Sequence, residues 1–216
     1  AQKLAAMQQE IQINELGPGA GVKTNIPQTD ELFDLQFDWP MFDASGEAGI
    51  ETDGDAIYVS MWNGAGTFQK YSPDDGTWLE EITVAGSAGC RDIAYNGTYF
   101  YGGAASTTIF EMDLASETMI STFTGPAACR AIAYNEDDDV FYCNNWSDDI
   151  TEFDATGALV NSYAIGPVGV SYYGFAYQSA ELCGDGPFLW GYAQTGLSLN
   201  ELVQMDVSDD MAETGV

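Results

Sequence analysis

Two short stretches of the sequence each place a cysteine and an arginine side by side. "CRDIAYN" begins at Cys90 and "CRAIAYN" begins at Cys129, 39 residues later. An arginine guanidinium is a planar cation that can bind a carboxylate or a sulfate through two parallel hydrogen bonds. A pair of cysteine thiols can form a disulfide if the backbone brings them together. The near-identical surroundings of the two pairs predict that they hold equivalent positions in a repeated structure.

The charge of the chain limits its partners. There are 34 acidic residues against 5 basic ones, which gives a net charge of −29. A surface of this sign repels phosphate backbones, so we expect no nucleic-acid partner. The chain has no histidine, which excludes Ser-His-Asp and Cys-His catalysis. No run approaches the 18 or more apolar residues of a membrane-spanning helix, so we expect no transmembrane segment.

The sequence repeats about every 40 residues. Copies of one pattern begin near residues 48, 91, 130 and 173, at spacings of 43, 39 and 43 residues. Each copy reads as short runs of β-branched and aromatic residues with alternating polarity, separated by turns rich in Asn, Asp and Gly. These are the signals of strands and hairpins. Four antiparallel strands per repeat of this length predict an all-β fold, a β-propeller of about four blades that is either whole or part of a larger propeller.

The predicted domain begins after a linker. Residues 1–31 contain several Gly and Pro residues and are interpreted as an N-terminal extension. The propeller domain then covers residues 32–216. At its start, "LFDLQFDWP" (residues 32–40) alternates apolar and polar residues. This pattern predicts one extra strand that joins a blade from the far end of the chain.

The repeats resemble a known class of propellers. "GEAGIETDGDAIYV", "RDIAYNGTYFYGG" and "RAIAYNEDDDVFYCNNWS" are similar to propeller segments in secreted or surface proteins of Bacteroidetes-type bacteria, which are often type IX secretion cargo. The resemblance covers residues 32–216. It implies an extracellular or cell-surface location and implies no defined enzymatic activity.

Arg91 and Arg130 are the candidate ligand-binding residues. Both begin the first strand of a repeat, and in a propeller that strand lines the central axis. Tyr173 holds the same position in the fourth copy, and Asp92 follows Arg91. Two guanidiniums that converge at the mouth of the axis can bind a carboxylate, a sulfate or a sugar acid. The alternative is structural, with each arginine paired to Asp92 or another acid to hold neighbouring blades together.

The four cysteines allow two disulfides or four buried thiols. Because Cys90 and Cys129 are repeat-equivalent, one hypothesis pairs them across neighbouring inner strands. Cys143 and Cys183 would then form the second pair. No two cysteines form a Cys-X-X-Cys motif, so zinc and thioredoxin-type chemistry have little support.

Other residues could serve ions or sugars. Acidic runs such as Glu136 to Asp139 are too short and irregular for a dedicated Ca²⁺ loop. We therefore expect no cofactor, apart from adventitious Ca²⁺ at the surface. The identity of any metal site stays open. Several aromatics predicted to lie at strand ends or in loops could stack on sugar rings or pack between blades; they are Trp62, Trp146, Tyr172, Tyr173 and Tyr192. The sequence offers no catalytic residue.

Three function classes follow. The first is a non-enzymatic binding, adhesion or display module for a protein or glycan at the cell surface. The second is a structural subunit that self-assembles into a surface layer or filament. The third is a glycosidase or lyase that uses a carboxylate pair.

Overall fold

The computed structural model describes residues 38–42, 45–165, 170–180, 186–195 and 199–215. Its strands form four separate antiparallel sheets of four strands each. The first sheet, blade 1, consists of β1 (Glu47–Thr52), β2 (Ile57–Met61), β3 (Thr67–Tyr71) and β4 (Trp78–Thr83). Blade 2 consists of β5 (Asp92–Tyr95), β6 (Phe100–Gly103), β7 (Ser106–Asp113) and β8 (Thr118–Cys129).

The second half of the chain repeats this arrangement. Blade 3 consists of β9 (Ala131–Asn135), β10 (Val140–Asn144), β11 (Ile150–Phe153) and β12 (Leu159–Tyr163). Blade 4 consists of β13 (Ser171–Gln178), β14 (Phe188–Thr195), β15 (Leu199–Asp206) and β16 (Ala212–Glu213), with a short 3₁₀ helix at Val207–Asp209. The four sheets stand in a ring, and the prediction of a β-propeller with four-stranded blades is confirmed. Among the described residues, no helix is long and apolar enough to cross a membrane.

Most of the extra strand predicted for residues 32–40 lies outside the described residues. Residues 32–37 are not described, and residues 38–42 carry no strand. Phe42 stacks on Trp78 of blade 1 with ring centroids 4.0 Å apart, and its amide donates to the Tyr71 hydroxyl at 3.0 Å. These contacts place Phe42 on blade 1.

Many of the acidic and amide side chains build the turns. In the turn between the first two strands, Asp53 of blade 1 accepts from the amides of Asp55 and Ala56 at 2.9 and 2.8 Å. Asn96 accepts in the same way from Thr98 and Tyr99 at the equivalent turn of blade 2. These side chains replace hydrogen bonds that the turning backbone cannot make to itself. Part of the high acidity is therefore a consequence of the repeated turns.

Three buried apolar clusters join consecutive blades. The cluster between blades 1 and 2 is built around Phe68 and Phe100. The cluster between blades 2 and 3 is built around Ile109 and Phe141, and the cluster between blades 3 and 4 includes Tyr142. Consecutive blades thus bury their facing sides against each other, as stacked repeats do. Within the described ranges, no such cluster joins blade 4 to blade 1.

The carboxylate of Asp92 ties the inner strands together. Its Oδ2 accepts from the amide of Ile132 in blade 3 at 2.8 Å and from the amide of Phe175 in blade 4 at 3.0 Å. Asp92 itself belongs to blade 2 and is 3% exposed. One side chain therefore connects three of the four blades.

Blade 1 also packs against Asp92, through small residues. A Cβ atom added to Gly49 of β1 would lie 2.5 Å from the Cα atom of Asp92, so only glycine fits there. The Ser60 hydroxyl donates to the carbonyl of Arg91 and accepts from the amide of Gly49 at 2.9 Å. The absence of a side chain at Gly49 allows β1 to approach Asp92.

Burial of Asp92 predicts a pH-dependent stability. Burial raises the pKa of its carboxyl from 3.8 to about 7, against the lowering effect of its amide donors, and the nearby charge of Glu51 raises it further. In the unfolded chain the carboxyl ionises near its ordinary pKa of 3.8. Between these two pKa values the folded state holds more protons than the unfolded state. Its free energy of unfolding therefore falls as the pH rises from 4 to 7, by up to roughly 1.4 kcal/mol per pH unit.

The variant Asp92→Asn isolates this contribution, because its amide oxygen keeps an acceptor for Ile132 and Phe175 and does not titrate. Urea unfolding at several pH values should show a steeper loss of stability in the unmodified protein than in D92N over this range. Equal slopes for the two proteins would show that the Asp92 carboxyl is not perturbed.

Candidate functional site

A cavity of about 790 Å³ lies where the four inner strands converge. Residues from all four blades line it. They are Glu47, Ala48, Gly49, Ile50 and Trp62 of blade 1, Arg91 and Asp92 of blade 2, Arg130 of blade 3, and Tyr173, Gly174, Phe175, Ala176, Trp190, Tyr192 and Leu202 of blade 4. This set includes all four residues that were predicted from the sequence to form an axial site: Arg91, Arg130, Asp92 and Tyr173. The cavity also faces the junction of blades 4 and 1, where the described residues form no buried apolar cluster.

Arg91 lies just before β5, at the edge of the cavity. Its guanidinium carbon is 5.2 Å from the centre of the Trp62 ring, which places a cation over an aromatic face. Its Nε is buried and has no hydrogen-bond partner among the described residues. Leaving a buried donor unused is costly, so this N–H group adds to the cost of holding Arg91 at the cavity.

Arg130 occupies the equivalent position before β9 and is 6% exposed. Its guanidinium carbon is 4.2 Å from the centre of the Trp146 ring and 5.7 Å from that of Tyr173. Its Nε donates to the side-chain oxygen of Asn145 at 3.3 Å. Both rings thus lie within cation–π distance of the guanidinium, whose N–H groups donate in its own plane.

Neither arginine forms an ion pair with another described residue. The described part of the chain contains a single ion pair, Lys70 with Glu80 at 3.1 Å, and it lies on blade 1 away from the cavity. Burial lowers the pKa of Arg130, and the positive charge of Arg91 lowers it further. The two guanidiniums are thus close enough to repel each other. The structural alternative, in which each arginine pairs with Asp92 or another acid, is wrong for the described residues.

Asp92 and Tyr173 have different parts in this site. The Asp92 carboxylate is engaged by the amides of Ile132 and Phe175, so it fixes the inner strands and gives little of its surface to the cavity. Tyr173 is 36% exposed. Its ring lies edge-on to Tyr192 with centroids 6.5 Å apart. Tyr173 therefore connects the arginine side of the cavity to an aromatic side.

An apolar wall completes the cavity and was missed by sequence reasoning. Ile50 and Leu202 line it with 64% and 53% of their surface exposed, and Trp190 is a further part of it. Both aliphatic residues sit on strands with mixed polarity, which gave no reason to single them out. The repeat did carry one indication of this wall. Ala48 holds in blade 1 the position that Arg91 holds in blade 2, so residues close to Ala48 are expected to face the same cavity.

The hypothesis of a disulfide between Cys90 and Cys129 is wrong for this structure. Cys90, Cys129 and Cys143 are free and buried, and Cys183 lies outside the described residues. Cys90 packs in the cluster between blades 1 and 2, whereas Cys129 packs in the next cluster. The two equivalent thiols therefore face different blade junctions. A hydrogen bond with Cys143, together with burial, raises the pKa of the Cys129 thiol.

The structure gives no metal centre among the residues it describes, where no group of three or more acidic or cysteine side chains could hold an ion. The acidic run Glu136 to Asp139 lies in a turn in which Asn135 accepts from the amides of Asp137 and Asp138 at 2.9 and 3.2 Å. These residues form a solvated turn. A role for Ca²⁺ stays an untested expectation.

Comparison with known proteins supports the fold. No protein-family model matches the chain, and no curated protein sequence matches it. A hydrazine synthase of Kuenenia stuttgartiensis has a similar structure, with a TM-score of 0.54 and 17% identity over 87% of this chain and 51% of that chain. U3-55K and the WD40 repeats of RRP9 each give a TM-score of 0.54, at 15% and 14% identity, over 79% of this chain and 51% of theirs. The chain spans about half the length of these proteins, and at such low identity the likeness extends to the fold alone.

The location of the cysteines predicts their reactivity. Burial raises the pKa of the Cys90 thiol well above its ordinary value, and a thiol that stays protonated and buried reacts slowly. In native buffer, Cys90, Cys129 and Cys143 should resist labelling by iodoacetamide. In urea without reductant all three should react, as read by peptide mass spectrometry. A Cys90–Cys129 peptide pair that survives non-reducing digestion would contradict the structure.

Proposed function

We propose that this chain is a non-enzymatic extracellular binding module that holds an anionic group of a protein ligand in the cavity at its axis. One observation carries the proposal. In a chain of net charge −29, the only two arginines converge on one cavity, and neither forms an ion pair within the described residues. Repelling, desolvated cations are costly unless something neutralises them. A bound anion would do so.

The rest of the surface limits the kind of partner. The field of so many acids repels an acidic protein at long range. The partner is therefore neutral or basic overall and presents its anionic group locally. The resemblance of the repeats to propellers of secreted and surface proteins, together with the acidity, supports a location outside the cell.

A protein ligand is better supported than a glycan. Among the aromatics suggested for stacking on sugars, Trp62 and Trp146 each have a guanidinium over one ring face, and Tyr172 is buried. Two of the exposed rings thus already have a partner on one side. Propellers of the WD40 type, which this fold resembles, are scaffolds suited to protein partners.

Self-assembly into a layer or filament is a second candidate. The outermost strand of blade 3, β12, exposes Leu159 and Val160 side by side, at 56% and 55%. An exposed apolar edge strand can pair with another chain. The glycosidase alternative has less support, because Asp92, one of two carboxylates that line the cavity, is held by two amides and is almost fully buried.

Panning with random peptides tests the binding site. Peptides displayed with either end free are selected against the protein, and hydrogen–deuterium exchange then locates those that bind. We expect protection of the segments around Arg91, Arg130 and Tyr173. The double variant R91Q/R130Q should lose at least about tenfold in affinity, because charge-assisted hydrogen bonds contribute about 1.5–3 kcal/mol each.

The matched control is Lys70→Gln, which removes one positive charge on blade 1 away from the cavity and should leave binding unchanged. Failure to select any peptide would refute the proposal. Selected peptides that protect the outer strands, or that bind R91Q/R130Q as well as the unmodified protein, would refute it as well.

A further inference from the structure

We infer that the cavity recognises the C-terminal residue of its protein ligand, with the free α-carboxylate between Arg91 and Arg130 and an apolar side chain against Ile50 and Leu202. This inference rests on the proposed function and names the part of the ligand that is bound. The cavity of about 790 Å³ falls within the usual size range of small-molecule sites. It therefore accommodates a few residues of an extended chain rather than a folded surface.

The charges in the cavity favour a single carboxylate. Glu47 and Asp92 also line the cavity, and their carboxyl groups offset much of the charge of the two guanidiniums, that of Asp92 only in part because burial raises its pKa to about 7. A phosphate carries close to two negative charges at neutral pH, which exceeds what this balance neutralises. A carboxylate carries one charge.

The donors of the guanidiniums favour a planar group. The guanidinium of Arg91 lies over the Trp62 ring, and that of Arg130 lies over the Trp146 and Tyr173 rings. A guanidinium donates hydrogen bonds only in its own plane, and the Nε of Arg91 is one donor without a partner among the described residues. A planar carboxylate accepts two parallel hydrogen bonds from the edge of a guanidinium.

The guanidiniums and the apolar wall line the same cavity. Tyr173 lies between two of its parts, since its ring centre is 5.7 Å from the guanidinium carbon of Arg130 and 6.5 Å from the Tyr192 ring centre. A ligand that contacts both the guanidiniums and the wall must carry its acid and its apolar group close together. A C-terminal residue meets this condition, because its carboxylate and its side chain share one Cα atom. An internal Asp or Glu would need a neighbouring residue to supply the apolar group.

Exposed aliphatic groups in the wall support the same conclusion. Ile50 and Leu202 keep more than half of their surface in contact with solvent although they line a concavity. Covering apolar surface favours a complex because it removes that surface from water. A Leu, Ile or Phe at the ligand's last position would cover both side chains.

Synthetic pairs of the selected peptides provide the test. Each peptide is made as the free acid and as the C-terminal amide, and both are titrated by fluorescence anisotropy. Amidation should weaken binding at least about tenfold, and replacing a last Leu, Ile or Phe by Gly should do the same. R130K should weaken binding of the free acid because an ammonium lacks the planar fork, whereas K70Q should not.

The outcomes separate this inference from the proposed function. If amides bind as well as free acids while R91Q/R130Q weakens both, an internal carboxylate occupies the site, so the terminal assignment is wrong and the binding module stands. If the double arginine variant changes neither form, both proposals fail. The amide comparison uses the unmodified protein, so it stays decisive even if an arginine variant does not fold.

Discussion

The carboxylate of Asp92 is the interaction on which the axis of this propeller depends. It belongs to blade 2 and accepts main-chain hydrogen bonds from blades 3 and 4, while glycine in blade 1 lets that blade reach the same point. These bonds fix the positions at which the inner strands begin. Burial raises the pKa of this carboxyl to about 7, so the group that joins the blades is also one whose charge changes near neutral pH.

The position of the arginines follows from this arrangement. Arg91 immediately precedes Asp92. Arg130 lies two residues before Ile132, whose amide donates a hydrogen bond to Asp92. The contact that brings the inner strands together thus also brings the two guanidiniums together. Because Asp92 is engaged by amides and not by arginines, the positive charges remain without an ion pair in the part of the chain that the structure describes. A structural carboxylate and an open cationic site can therefore lie side by side.

Sequence reasoning reached the architecture because each blade is encoded locally. The β-branched and aromatic runs and the Asx turns at Asp53 and Asn96 repeat at fixed spacing, so blades could be predicted without knowing their contacts. The convergence of Arg91 and Arg130 followed from their equivalent repeat positions. The predicted disulfide between Cys90 and Cys129 was wrong, because equivalent side chains of successive blades face successive junctions: Cys90 lies between blades 1 and 2, and Cys129 lies between blades 2 and 3. The role of Ile50 and Leu202 could not be predicted from the sequence, because they line one cavity only when blades 1 and 4 lie next to each other.

The central claim is that both guanidiniums are open to a carboxylate. The chain has only two arginines, so the guanidinium region of the ¹⁵N spectrum, which is separate from the indole signals, contains only two Nε–H signals, which R91Q and R130Q assign. A titration with N-acetylleucine at constant ionic strength should shift both signals toward saturation, and N-acetylleucinamide should leave them in place. Signals that do not move, or that move equally with the amide, would contradict the account.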